Sequence, residues 1–466
     1  MYELTIPLSG TSAVPMYQQI YHYICREIQN GKILPDTRLP SSRALAEHLQ
    51  ISRSTVVAAY DQLIAEGYLE SRKGSGVYVL KIEELVSIPR KNAGEEAKPV
   101  SKRSLYCYDF SPRGIDLGNF PYNSWRKISR ETLNDAHKEL FAVGDPKGEP
   151  NLRHAIARYL HAARGVQCSE DQIIVGAGME YLLLLLNQIL DHKKPIAMET
   201  PTYIQAWRIF QSLGHPVIPI PLDGSGMKPE ELYRSQASIV YVMPSHQYPT
   251  GIVMPIKRRM ELLSWTRQAS DRYLIEDDYD SEFRYRGKPI PSLQGSDHYE
   301  KVIYLGTFSK SIAPAIRISY MVLPKPLLEQ YYKKCSFYTS TVSRIDQEIV
   351  CRFLQEGYYE RHLNKMRGIY KGKHDLLLSC LREFTNEFSV SGENGGLHIL
   401  LTSRKNIPER ELIRRAEEEK VRVYGMSAYE IGESQKESCT VILGYANMTE
   451  EAISKGVERL QKAWIK

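Results

Sequence analysis

A lysine set among hydroxyls and an arginine is the most chemically pointed feature of this 466-residue chain. The stretch runs Tyr304-Leu-Gly-Thr-Phe-Ser-Lys310-Ser-Ile-Ala-Pro-Ala-Ile-Arg317. Its apolar opening reads as a buried strand, and Gly-Thr-Phe-Ser as a tight loop with Lys310 at its tip. Ser309, Ser311 and Arg317 around an amine suit an anion, phosphate above all. A lysine drawn out of water gives up its proton readily, and the free amine forms Schiff bases. Upstream, Tyr273-Leu-Ile-Glu-Asp277-Asp-Tyr279 reads as a second buried strand ending in acids. Asp277 there could hold a protonated ring nitrogen, and Tyr279, two residues on, faces the same way. Alone, Lys310 would read as a surface charge and Asp277 as a cap; together they read as one site.

The elements around this pair place it at strand ends. From about Tyr106, apolar runs (Ile173–Val175, Pro195–Met198, Ile239–Met243, Tyr273–Ile275, Val302–Leu305) alternate with helical stretches such as Glu180–Leu190 and Ile256–Ala269. Such alternation predicts an α/β fold with a largely parallel sheet, whose ligand sites lie at strand ends. Gly178 and Met179 precede the leucine-rich helix, where backbone N–H groups can bind phosphate. Tyr203, after Glu199-Thr-Pro201, stands at another strand end and could stack on a planar ring or simply fill the core.

The first eighty residues have a different design. Pro15–Asn30 has helical spacing; Ser41 or Ser42 caps a short helix; Ser52-Arg53-Ser54-Thr55 opens another; Tyr68–Val79 reads as a hairpin with a basic, glycine-bearing tip. This is a winged helix-turn-helix layout, in which the start of the second helix meets base edges. Residues 1–80 carry seven Lys+Arg and seven Asp+Glu, so placement matters more than net charge: Arg43, Arg53, Arg72 and Lys73 fall on the elements expected to face DNA. Residues 81–105, charged and broken by Pro89, Gly94 and Pro99, read as a flexible linker.

Composition narrows the class. Seven scattered cysteines without a CxxC pair argue against a zinc site and a disulfide framework, and predict no metal. Met-Tyr-Glu-Leu-Thr is no signal peptide, and Leu182–Leu186 is too short to span a bilayer, so a cytoplasmic protein without a membrane partner is expected. The net charge of +6 is mild.

Leu39-Pro-Ser-Ser-Arg43, Ser52-Arg-Ser-Thr55 and Gly67-Tyr-Leu-Glu-Ser-Arg-Lys73-Gly74-Ser-Gly76 closely resemble the GntR-type winged helix. That resemblance implies operator contacts from Arg43, Ser52, Arg53, Ser54, Thr55, Lys73 and Gly74. The Asp277 and Lys310 stretches, with Asn151-Leu-Arg-His, resemble the fold-type I aminotransferases, which bind pyridoxal phosphate (PLP) and have a smaller C-terminal α/β subdomain. By it Lys310 carries the internal aldimine, Asp277 pairs with the ring nitrogen and Tyr279 bonds the phenolic oxygen. Tyr203 stacks on the ring, and Gly178, Met179, Ser309 and Arg317 hold the phosphate. Winged helix (1–80), linker (81–105) and aminotransferase-like domain (106–466), in that order, resemble the MocR/GabR family of PLP-dependent transcriptional regulators. Ser245-His-Gln-Tyr-Pro-Thr-Gly251 and Glu276–Phe283 match that family too.

Two departures shape the functional expectation. Tyr248 stands where working aminotransferases carry asparagine, and Ile442 where their carboxylate-binding arginine stands. Loss of a bidentate anchor costs substrate positioning. The expected function is therefore a regulator, a homodimer reading two half-sites of operator DNA, whose DNA binding is modulated by an amine or amino-acid effector or by PLP itself. An active aminotransferase with an appended DNA-binding head is the alternative. Gln205 and Ala428 replace the arginines of GABA-responsive members, which argues against GABA; Arg404 and Arg422 are other candidates for a carboxylate.

Overall fold

The computed structural model describes residues 4, 6–9, 14–81, 106–190, 193–285, 290–432 and 437–465. The chain divides into two units, Met1–Ser101 and Lys102–Lys466. The expected linker lies, apart from residue 81, outside the described residues.

In the first unit, helices Met16–Gln29, Ser42–Leu49 and Arg53–Ala65 are followed by an antiparallel hairpin, Leu69–Arg72 with Gly76–Val79. The helix starts are made by short hydroxyl side chains: Ser41 accepts from the Ala44 N–H, and Ser52 from the Thr55 N–H. Between the last two helices the chain reverses at Gln50 in the left-handed region. Ile20, Ile24, Leu45, Val56, Ala59 and Leu63 close one core, joined by Leu69 and Val79 from the hairpin.

The second unit is built on an eight-stranded sheet. Its order is Ile173–Ala177, Ile318–Val322, Val302–Thr307, Tyr273–Asp278, Ile239–Val242, Ile196–Thr200, Val217–Asp223 and Gly226–Met227. The five strands from Val302–Thr307 to Val217–Asp223 are mutually parallel; Ile318–Val322 and Gly226–Met227 run against their neighbours. Both faces are covered, so the strands are apolar on both sides. Ile275, Ile303 and Leu305 pack with Leu182, Leu183 and Leu186 of helix Met179–Ile189. Leu274 and Val302 pack the other way, with Leu262 and Trp265 of helix Ile256–Thr266. Each such side chain contributes about 1.5–3 kcal/mol on full burial, which pins the register that carries the site.

A second, antiparallel sheet orders Phe388–Ser391, His398–Ser403, Thr440–Gly444 and Tyr424–Gly425. Helices Tyr358–Cys380, Glu409–Glu418 and Glu450–Trp464 supply Leu377, Leu412 and Leu460 to its core. This is the expected smaller C-terminal subdomain. Among the described residues no helix is long and apolar enough to cross a membrane.

Candidate functional site

Strands Tyr273–Asp278 and Val302–Thr307 run parallel with Leu305 opposite Asp277 and Gly306 opposite Asp278. Their C-terminal ends therefore share one edge, and the loop after Thr307 carries Lys310 over Asp277. A cavity of about 270 Å3 opens there, lined by Pro112, Arg113, Met179, Glu180, Tyr203, Met243, Tyr248, Asp277, Tyr279, Thr307, Ser309, Lys310, Pro314 and Arg317. Of the eight residues expected to form the site, seven line this one cavity; Gly178 is the cap of the helix that Met179 begins.

Asp277 is 3 % exposed. Its Oδ2 accepts from the Tyr241 hydroxyl, while Oδ1 has no partner. Burial pushes this carboxyl up to about 7, against the pull of the Tyr241 hydrogen bond. An acid with one orphaned buried oxygen is suited to a ligand that brings a proton. Its neighbours in the strand have other partners, although Asp278 Oδ1 is likewise left without one. Glu276 accepts from the Leu293 and Gln294 N–H groups at 2.8 Å. Asp278 pairs with Arg164 at 2.7 Å.

Lys310 Nζ donates to the carbonyl oxygens of Pro112 (3.3 Å) and Arg113 (3.1 Å). Burial lowers its pKa to about 8, with Asp280 opposing and Arg113 assisting. The amine is thus partly neutral at mildly alkaline pH, the state a nucleophile needs. The Tyr279 hydroxyl meets His246 Nδ1 at 2.9 Å, and the same nitrogen lies 3.0 Å from Asp280. Tyr203 sits edge-on to Tyr248, ring centroids 6.3 Å apart, and burial raises its phenol to about 12.

The opposite end of the cavity suits an anion. Helix Met179–Ile189 starts after Gly178, whose φ of +94° and ψ of 168° only glycine adopts readily. A Cβ on Gly178 would overlap the Arg317 guanidinium. Arg317 is itself at φ +52° and lies across the helix start, donating to Ala177 C=O at 3.4 Å and pairing with Glu180 at 2.5 Å. The Ser309 N–H donates to Thr307 Oγ1 at 3.1 Å. Ser311, grouped with these by sequence, turns away: its buried hydroxyl meets Tyr359 at 2.9 Å.

Tyr248 lines the cavity and donates to the Tyr429 hydroxyl at 3.1 Å. Ile442 is fully buried opposite Leu400 and Tyr424. Gln205 and Ala428 do not line the cavity. Nor do Arg404, which donates to the Phe388 carbonyl, or Arg422, which pairs with Asp109. The partners that sequence reasoning missed are Tyr241, His246, Glu180 and Arg113. A tyrosine inside the aliphatic run Ile239–Met243 was the available signal for Tyr241; Arg113 comes from a loop distant in sequence and left none.

In the first unit, Arg43, Arg53, Ser54, Lys73 and Gly74 are exposed, and Thr55 is half-buried. Arg53 Nε approaches Ser42 Oγ at 3.4 Å, so the two helices present their starts side by side. Ser52 is engaged as the cap, its hydroxyl also 2.8 Å from those of Ser54 and Thr55. Arg72 is tied into ion pairs with Asp36 and Glu70 and stacks on Tyr78, so it braces the hairpin. Arg38, bridged to Tyr78 and lying over Gly76, adds a cation beside the hairpin that the sequence did not single out.

Residues 16–79 match the bacterial regulatory proteins of the gntR family, and residues 115–460 the aminotransferase class I and II family. An uncharacterized HTH-type transcriptional regulator of Bacillus subtilis, YdeL, is 39 % identical over 464 residues, covering 99 % of both chains. The probable rhizopine catabolism regulatory protein MocR of Rhizobium meliloti is 32 % identical, covering 98 % of this chain and 95 % of its own. Among solved structures, Pyrococcus horikoshii kynurenine aminotransferase, in complex with PMP and with kynurenine as substrate, superimposes with a TM-score of 0.69. It is 28 % identical, over 77 % of this chain and 90 % of that one. The chain therefore belongs to the MocR-type HTH transcriptional regulators, which join a GntR-type DNA-binding domain to a class I and II aminotransferase domain.

Proposed function

We propose that this protein is a PLP-dependent transcriptional regulator whose operator binding responds to an amine or amino-acid effector, or to PLP itself. The observation that carries the cofactor is the orphaned Oδ1 of buried Asp277 in the same cavity as the low-pKa amine of Lys310. The residues fit the group. Asp277 would hold the pyridine nitrogen's proton at Oδ1, and Tyr279, steadied by His246, would donate to the phenolic oxygen. Tyr203 would cover the ring, while Gly178, Met179, Ser309 and Arg317 would take the phosphate. When bound, PLP supplies an aldehyde carbon that exchanges one amine for another. Lys310 would be the resident amine that an effector replaces, and the Pro112 and Arg113 carbonyls are placed to accept hydrogen bonds from it once it is free.

Arg43, Arg53, Ser54, Thr55, Lys73 and Gly74 would contact the operator, with Ser52 as cap. A homodimer in the cytoplasm, reading two half-sites, and division at residues 80 and 106 belong to the same proposal. For an effector to regulate, it must favour one DNA-binding geometry over another. Footprinting the DNA upstream of its own gene tests this, using cofactor-free protein, PLP-loaded protein and Arg53→Ala. Two protected half-sites, lost in the variant and altered by PLP or an added amine, are expected. Lys310→Ala should stay folded and lose the absorbance band of lysine-bound PLP; an unchanged spectrum refutes the assignment. The retained Lys310–Asp277 pair also favours a second reading, an active aminotransferase. Sustained multiple turnovers with amino-acid and keto-acid pairs would select it.

A further inference from the structure

The cavity around Lys310 is lined by two arginines that stand in different electrostatic positions. Arg317 is paired with Glu180. Arg113 has no carboxylate within ion-pair distance among the described residues, and its guanidinium is exposed at the cavity wall. The loop that carries it is fixed to the reacting amine, because the Arg113 carbonyl accepts from Lys310 Nζ at 3.1 Å. Its charge reaches the Tyr248 and Tyr203 phenols and opposes the rise that burial imposes on both. A guanidinium without a carboxylate partner, within reach of the Tyr248 hydroxyl and beside a nucleophilic amine, is a site for a planar anion: its fork matches both carboxylate oxygens. None of the other arginines considered for that role faces this cavity, and Ile442 offers only hydrocarbon.

We propose that Arg113 anchors the carboxylate of the effector, so that the regulator answers to a compact amino acid rather than to a simple amine. This rests on the PLP-regulator reading above. The amine of such a ligand takes the place of Lys310, and its carboxylate, a few bonds away, pairs with the guanidinium at the cavity wall. Anchoring therefore comes from the loop after Phe110 and not from the C-terminal strand Thr440–Gly444. Tyr248, whose hydroxyl is already engaged with Tyr429, forms the wall beside the anchored group.

The test uses PLP-loaded wild-type protein, Arg113→Gln and Arg113→Lys, titrated with two pairs of probes: L-alanine against ethylamine, and glycine against methylamine. The absorbance change of the lysine-bound cofactor gives each dissociation constant. Wild type should prefer the amino acid of each pair by roughly ten- to hundredfold, the range for a charge-assisted hydrogen-bonded pair. The preference should fall to near one in Arg113→Gln and to an intermediate value in Arg113→Lys, which keeps charge but loses the fork. A preference that survives Arg113→Gln, or its absence from wild type, overturns the anchor alone. A wild-type spectrum moved by none of the four probes likewise overturns the anchor, whereas a wild-type protein that takes up no PLP at all overturns the PLP-regulator reading and the anchor with it.

Discussion

Replacing Asp277 by asparagine should stabilise the cofactor-free protein at alkaline pH while weakening its hold on PLP. The folded carboxyl titrates near 7 because burial opposes its charge, against an ordinary value of 3.8. Between those values the folded state keeps a proton that the unfolded chain has lost, so stability falls as pH rises and levels off above about 7. At about 1.4 kcal/mol per tenfold change in proton affinity, the full cost is roughly 4 kcal/mol, of which roughly 2–3 kcal/mol accrues between pH 5 and pH 8. Asparagine keeps an acceptor for Tyr241 but never ionises. It also places an N–H2 group where Oδ1 lacks a partner, a penalty of about 1–3 kcal/mol that does not change with pH. The difference between the two pH values therefore isolates the charge. All four tryptophans (Trp125, Trp207, Trp265 and Trp464) lie in the second unit, so their fluorescence in urea follows that unit. Wild type should lose roughly 2–3 kcal/mol relative to Asp277→Asn between pH 5 and pH 8. An effect of the substitution that is equal at both values refutes the argument that the cofactor-free site carries a buried charge.

Other substitutions separate anion binding, DNA contact and scaffold. Gly178→Ala must adopt φ near +94° and displace the Arg317 guanidinium. A backbone strain of about 1–3 kcal/mol and at least about tenfold weaker PLP binding are expected, measured by absorbance titration; unchanged affinity would remove that helix start from the phosphate site. Ser52→Ala should cost about 1 kcal/mol of stability through its lost cap. Arg53→Ala should leave stability within about 0.5 kcal/mol but abolish the footprint; the reverse pattern would mean that Arg53 is structural. Arg164→Met leaves Asp278 as a buried acid without its cation, and should destabilise the second unit by about 3–5 kcal/mol in urea. The Tyr304 hydroxyl also donates to Asp278 Oδ2 at 2.5 Å, and tolerance of that change would show that this hydrogen bond suffices for the carboxylate.

What the sequence determined by itself was whatever depends on local pattern. Alternating apolar strands and helices announced the parallel sheet, and a hydroxyl cap at Ser41 or Ser42 and the polar start Ser52-Arg53-Ser54-Thr55 marked the helices of the winged domain; the structure chose Ser41 and Ser52 as the caps. Period-two alternation put Asp277 and Tyr279 on one side, and the cavity holds both. Tertiary structure decided the pairings between distant segments. Ser311 sits one residue from Lys310, yet the turn directs its hydroxyl to Tyr359. Arg72 lies in the hairpin tip that sequence assigned to DNA, yet Asp36, far back in the chain, claims its charge. Tyr241 became the partner of Asp277 only because Ile239–Val242 lies beside Tyr273–Asp278 in the sheet. Arg113 reached Lys310 because the first strand of the second unit, Tyr108–Asp109, pairs with Val421–Arg422 and leads the following loop to the cavity. Hydrophobic periodicity states which face of an element is buried; it carries no information about which polar group from another segment will meet it there.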